Sequence, residues 1–180
     1  MRCLHLLFGP FSCLLMACGG SRIDGQTIRM DHPVNCIAIS PGSSEIGHGI
    51  EQGLVDSELY RGKIVGSDAA VNLLHELGIR SPKATLPENL ARLNERGVDA
   101  WLRVEASNAV LSDAPKTVLV RMASTHSPDQ SIEFVWHNAW GGMPGSPADY
   151  MMKAGAFKAG KSIAEELARI LAEKQEVPQP

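Results

Sequence analysis

Cysteine, charge imbalance and long apolar runs are all scarce in this chain. Four cysteines in 180 residues, with Cys3 and Cys13 near the start, do not make the framework of a disulfide-stapled fold. A formal net charge of −3 leaves no basic footprint for nucleic acid. The longest apolar stretch, Leu4 to Ala17, is broken by His5, Gly9, Pro10 and Ser12, and crossing a bilayer takes roughly 20 apolar residues. The loop at 41–50 carries no GxGxxG, no Gly-Lys-Ser/Thr and no serine between two elbow glycines, and no His-x-x-x-His pair in the chain marks a metal site.

What the amino terminus does contain is a basic start at Arg2, a short apolar centre and small residues at its end, which together make a secretory signal peptide. Leu15-Met16-Ala17-Cys18 resembles the lipobox of bacterial lipoproteins, with an apolar residue three before the cysteine and a small one just before it. The resemblance implies that Leu15, Ala17 and Cys18 are read by a signal peptidase. The Cys18 sulfur then takes a diacylglyceryl unit and becomes the first residue of the mature chain. A helix burying Cys18 is the alternative, and Gly9, Pro10 and Gly19-Gly20 oppose it. Gly19, in place of aspartate, resembles lipoproteins released to the outer membrane. Cleavage would leave Cys36 as the other cysteine, read as a buried strand residue.

Residues 1–17 are thus expected to be leader and 18–33, GGSRIDGQTIRMDHP after the cysteine, a flexible tether without sustained period. Residues 34–174 are the size of one domain that needs no metal or disulfide, and 175–180 are expected to fray. Strands are predicted at 36–40, 63–67, 99–107, 117–124 and 131–140 from apolar runs and alternation. Helices are predicted at 46–60, 68–77 with Asp68 as N-cap, 87–96 with Pro87 in its first turn, and 148–174. Gly78 and Gly97 fit helix ends closed by a left-handed residue with an apolar one folding back. The last helix carries a stripe of Met152, Ala156, Ala159, Ile163, Leu167 and Ile170 that must lie on the sheet. Gly155 and Gly160 would each cost it roughly 1 kcal/mol against alanine, so close approach of a backbone, from the sheet or a partner chain, is expected there. The fold class is α/β (α+β): one mixed sheet with helices packed on it, in the order β-α-β-α-α-β-β-β-α.

That order, carried by the Ile37-Ala38-Ile39 strand, the KIV strand, NLLHELGI, PENLARLNERGVDAWLRVEA, the paired strands ending in FVW and the long last helix, resembles one group of periplasmic domains. The group includes the curli secretion lipoprotein CsgG, the amino-terminal domain of TolB and the polysaccharide export lipoprotein PelC. The resemblance implies a lipid-anchored domain on the periplasmic face of the outer membrane, assembling as a homo-oligomer with export-system proteins or polymer as partners. No pair of long amphipathic hairpin strands is present, so the barrel-less PelC type is the nearer likeness.

No cofactor beyond a covalent lipid on Cys18, no metal site and no catalytic residue is predicted. The loop at 41–50 could aim backbone N–H groups at an anion, but Ser43 or Ser44 as a helix cap accounts for its composition. His32, His48, His75, His126 and His137 read as scattered surface residues, although His48 would share a helix face with Glu45 or Glu51. Trp136 is expected in the core, while Trp140 and Met143 are candidates for contact with membrane or a neighbouring subunit. Two other function classes stay open: a periplasmic hydrolase using the 41–50 loop, and a monomeric ligand-binding or envelope-stress lipoprotein.

Overall fold

The computed structural model describes residues 21–42, 44–108, 114–138 and 155–175. Six strands form one mixed sheet: β1 Arg22–Arg29, β2 Cys36–Ile39, β3 Lys63–Val65, β4 Ala100–Asn108, β5 Pro115–Ser124 and β6 Ser131–His137. They lie in the order β1-β6-β5-β4-β2-β3. Pairs β2–β3 and β2–β4 are parallel, and β4–β5, β5–β6 and β1–β6 are antiparallel. The helices are α1 Ser44–Asp56, α2 Ser67–Glu76, α3 Pro87–Glu95 and α4 Ala156–Gln175, with a short 3-10 turn at Ser81–Lys83. The mixed sheet and its helices match the predicted class.

The crossover β2-α1-β3 steps outward along the sheet, and β3-α2-α3-β4 steps back past β2. Two crossovers of one hand that move in opposite directions place their helices on opposite faces. Accordingly α1 and α4 cover one face, over Ile37, Ile39, Leu102, Val120, Phe134 and Trp136. On the other face α2 and α3 cover Cys36, Ala38 and Trp101 through Leu74, Leu90 and Leu93. All four residues of β2 are therefore buried, which is why CIAI reads as a continuous apolar run without alternation. β6 is covered on one face only, and its buried and half-buried residues alternate.

One expectation is overturned. Residues 22–29, assigned to the flexible tether, are an edge strand paired with β6. Ile23 and Ile28 are five residues apart, so strict alternation would send them to opposite faces. A bulge between Asp24 and Thr27, with Gly25 at φ +63°, inserts one residue, so that Ile23 pairs with Trp136 and Ile28 with Ile132. Both isoleucines then pack on the core beneath α4. At the other border β3 is only three residues long.

Helix ends follow the glycine punctuation. Gly78 and Gly97 adopt φ +61° and +76°, and Ile79 and Val98 return their N–H groups to Leu74 and Leu93 at 2.8 and 3.2 Å. The start of α2 departs from prediction, since Gly66 is the N-cap and Asp68 sits inside the first turn. Helix α4 is described from Ala156, so the part predicted for 148–154 lies outside the described residues, as do 139–140 of the last predicted strand.

Helices α1 and α4 cross at the distance of bare backbones. A Cβ on Gly160 would stand 2.9 Å from the Cα of Gly49, and one on Gly53 would stand 2.6 Å from the Cβ of Ala164. The backbone that approaches Gly160 is α1, neither the sheet nor a partner chain; a Cβ on Gly155 would meet nothing within 4 Å. Gly160→Ala is expected to destabilise the fold by about 1–3 kcal/mol through overpacking. Gly155→Ala, in the same denaturant titration, should cost less, under about 1 kcal/mol, because Gly155 meets no neighbour and only its place at the start of α4, accepting the Ala159 N–H, disfavours alanine.

Candidate functional site

At the sheet end where β4 begins, Asp99 organises a polar cluster. Its Oδ2 accepts the N–H groups of Asn35 and Cys36 at 2.8 and 3.0 Å, and its Oδ1 lies 3.0 Å from His126 Nε2. The β5–β6 turn supplies the other half. Ser124 Oγ accepts the N–H groups of His126 and Ser127, both at 3.1 Å, and lies 3.2 Å from His32 Nε2. With two N–H groups accepted, the hydroxyl proton is left for Nε2, and His32 Nδ1 then donates to Gln130 Oε1 at 2.9 Å. The two imidazoles meet edge to face with centroids 4.7 Å apart. Thr125 Oγ1 donates to the Val98 carbonyl at 2.6 Å and accepts from Asn94 Nδ2 at 3.2 Å.

Ser124, His32 and Gln130 have the connectivity of a hydroxyl, a base and an orienting group. Ser124 is nevertheless fully buried and its oxygen is already committed to two backbone donors, so the arrangement clamps the turn onto the segment entering β2. The sequence reading scattered these histidines over the surface; the fold instead pairs His32 with His126. His48 and His75 lie apart on α1 and α2, and His137 faces Asp24 at 3.3 Å. No group of three His, Cys, Asp or Glu side chains positioned for a metal occurs among the described residues.

A cleft of about 550 Å³ runs along the outer side of α1, lined by His48, Glu51, Val55, Ile64, Asp68 and Phe157 among others. Val55 and Phe157 are 64 % and 44 % exposed. The Glu51 carboxylate lies against Gly66, bringing negative charge to the start of α2, where no side chain caps the helix. Beside it the buried Ser67 hydroxyl has no hydrogen-bond partner. The predicted sharing of a helix face by His48 and Glu51 holds, since both line this cleft. Ser40, Pro41 and Gly42 line a second cleft of about 220 Å³ with Arg103 and Glu105, which pair with each other at 3.1 Å.

Of the residues singled out in the sequence, Leu15, Ala17, Cys18, Ser43, Trp140 and Met143 lie outside the described residues. Trp136 is buried beneath α4 and its Nε1 donates to Ser162 Oγ at 3.2 Å. Cys36 is a free, buried strand cysteine, and burial pushes its thiol above the ordinary range.

No protein-family model matches the chain, and no curated protein does. Among solved structures, a PelC dodecamer from Paraburkholderia phytofirmans in space group P6 is similar, at 12 % identity and TM-score 0.45, over 89 % of this chain and 100 % of that one. A variant PelC dodecamer of the same organism in space group C2 gives 9 % and 0.39, over 83 % and 96 %.

Two outcomes test the Asp99 cluster. Asp99→Ala should cost about 2–3 kcal/mol in a denaturant titration, because it strips two backbone donors of a charged acceptor. Cys36 should resist a thiol reagent in the folded protein and react fully once the domain is unfolded.

Proposed function

We propose that this chain is an outer-membrane lipoprotein whose periplasmic α/β domain is an oligomeric accessory subunit of an exopolysaccharide or protein export apparatus. The observation that carries the reading is Leu15-Met16-Ala17-Cys18 behind a short apolar leader. A diacylglyceryl unit on the Cys18 sulfur together with an N-acyl chain buries several acyl tails. At roughly 0.8 kcal/mol per buried CH₂, anchoring is then lasting, where a single chain is reversible. The export role rests on the resemblance in element order described from the sequence. Self-assembly belongs to the same proposal: the PelC structures are dodecamers, and a closed ring of copies is the arrangement proposed for this chain.

Intact mass spectrometry of protein taken from bacterial membranes should show a chain beginning at an acylated Cys18, and Cys18→Ala should leave residues 1–17 attached. A product beginning elsewhere with an unmodified thiol overturns the anchor. Light scattering of the mature sequence from Gly19 onward, alone and after coupling to lipid vesicles, should show a defined oligomer. A monomer under every condition overturns the ring.

A further inference from the structure

The incorporation of residues 22–29 into the sheet fixes where a lipid on Cys18 would have to be. Ser21 Oγ is 2.9 Å from Ser162 Oγ on α4, and Arg22 pairs with His137 at the end of β6. Only Gly19 and Gly20 then separate Cys18 from an engaged residue, and three Cα steps span at most about 11 Å. A tether running from 18 to 33 would reach about 50 Å and would allow any orientation.

The sheet itself is longer than this link. β5 runs Pro115–Ser124, about 30 Å at the rise of an extended strand. The end marked by Arg22, Thr117 and His137 is therefore near the anchor, and the β5–β6 turn with His32, Ser124 and His126 is at the far end. Exposed Arg22, Lys116 and Lys158 stand at the near end, the Arg22 guanidinium pairing with Asp24 at 2.9 Å. Exposed basic groups there suit a phosphate-bearing headgroup layer. The lateral alternative, β1 lying flat on the lipid, would put the Gln26–Glu166 pair, bonded at 3.0 Å, against it.

We propose that the sheet end bearing Arg22, Lys116 and Lys158 docks on the lipid surface holding Cys18, with the β5–β6 turn and the Asp99 cluster pointing away from it. This rests on the lipoprotein reading above and adds the docking face.

The test uses the full chain, processed in cells, extracted in detergent and reconstituted into phosphatidylethanolamine–phosphatidylglycerol vesicles. One cysteine is introduced at a time, as Lys116→Cys, Gln26→Cys or Asp129→Cys. Acylation occupies the Cys18 sulfur and burial shields Cys36, so a maleimide fluorophore marks the new site alone. Energy transfer to a headgroup dye should be strongest from 116, intermediate from 26 and weakest from 129, with the first and last differing in height by about 30 Å. Inserting about twelve Gly/Ser residues after Gly20 should reduce the contrast, because the longer link reaches past the sheet. Transfer strongest from 26, equal from all three, or strongest from 129 overturns the docking face even in a lipidated protein. Labelling of Cys18 itself, with no binding to vesicles, overturns the anchor reading instead.

Discussion

The close crossing of α1 and α4 is the constraint on which the rest of this domain leans. Two glycines four residues apart on α1, Gly49 and Gly53, face Gly160 and Ala164 on α4, and the helices pack with backbone against backbone. That contact sets how α4 lies over β5 and β6. The position of α4 decides in turn where Ser162 and Glu166 stand, and these bond Trp136, Ser21 and Gln26. A widening of the crossing would therefore be felt at Ser21 and in β1, through one helix acting as a rigid strut.

Much of the fold could be read from the sequence where a local signal has one physical meaning. Gly78 and Gly97 ended α2 and α3 as expected because a left-handed residue followed by an apolar one has few other uses. β2 was legible because a strand covered on both faces needs no alternation. β1 was not, because its bulge changes the period between Ile23 and Ile28, and the alternation that betrays a half-covered strand vanishes. The N-cap of α2 was misplaced by two residues because Asp68 has the side chain of a cap, whereas the chain enters the helix at Gly66 with no side-chain cap.

The polar cluster at Asp99 was illegible for a different reason. Its partners come from segments 63 or more residues apart, as in Asn35 with Asp99 and His32 with Gln130, or from a turn whose geometry no spacing rule encodes. Conversely, Cys36 and Trp136 were placed well because their surroundings follow from strand phase alone. The two ends of the sheet thus differ in kind. One is tied together by buried and half-buried hydrogen bonds, and the other gathers Ser21, Arg22 and the exposed first turn of α4.

A further consequence follows from the borders of the sheet. An open ladder edge is a standing invitation to cross-β growth between copies of a chain. β3 offers an incoming strand three residues, too few to hold a register, and the kink in β1 turns its N–H and C=O groups out of line. Neither border therefore offers a long, regular ladder edge to a strand from another molecule.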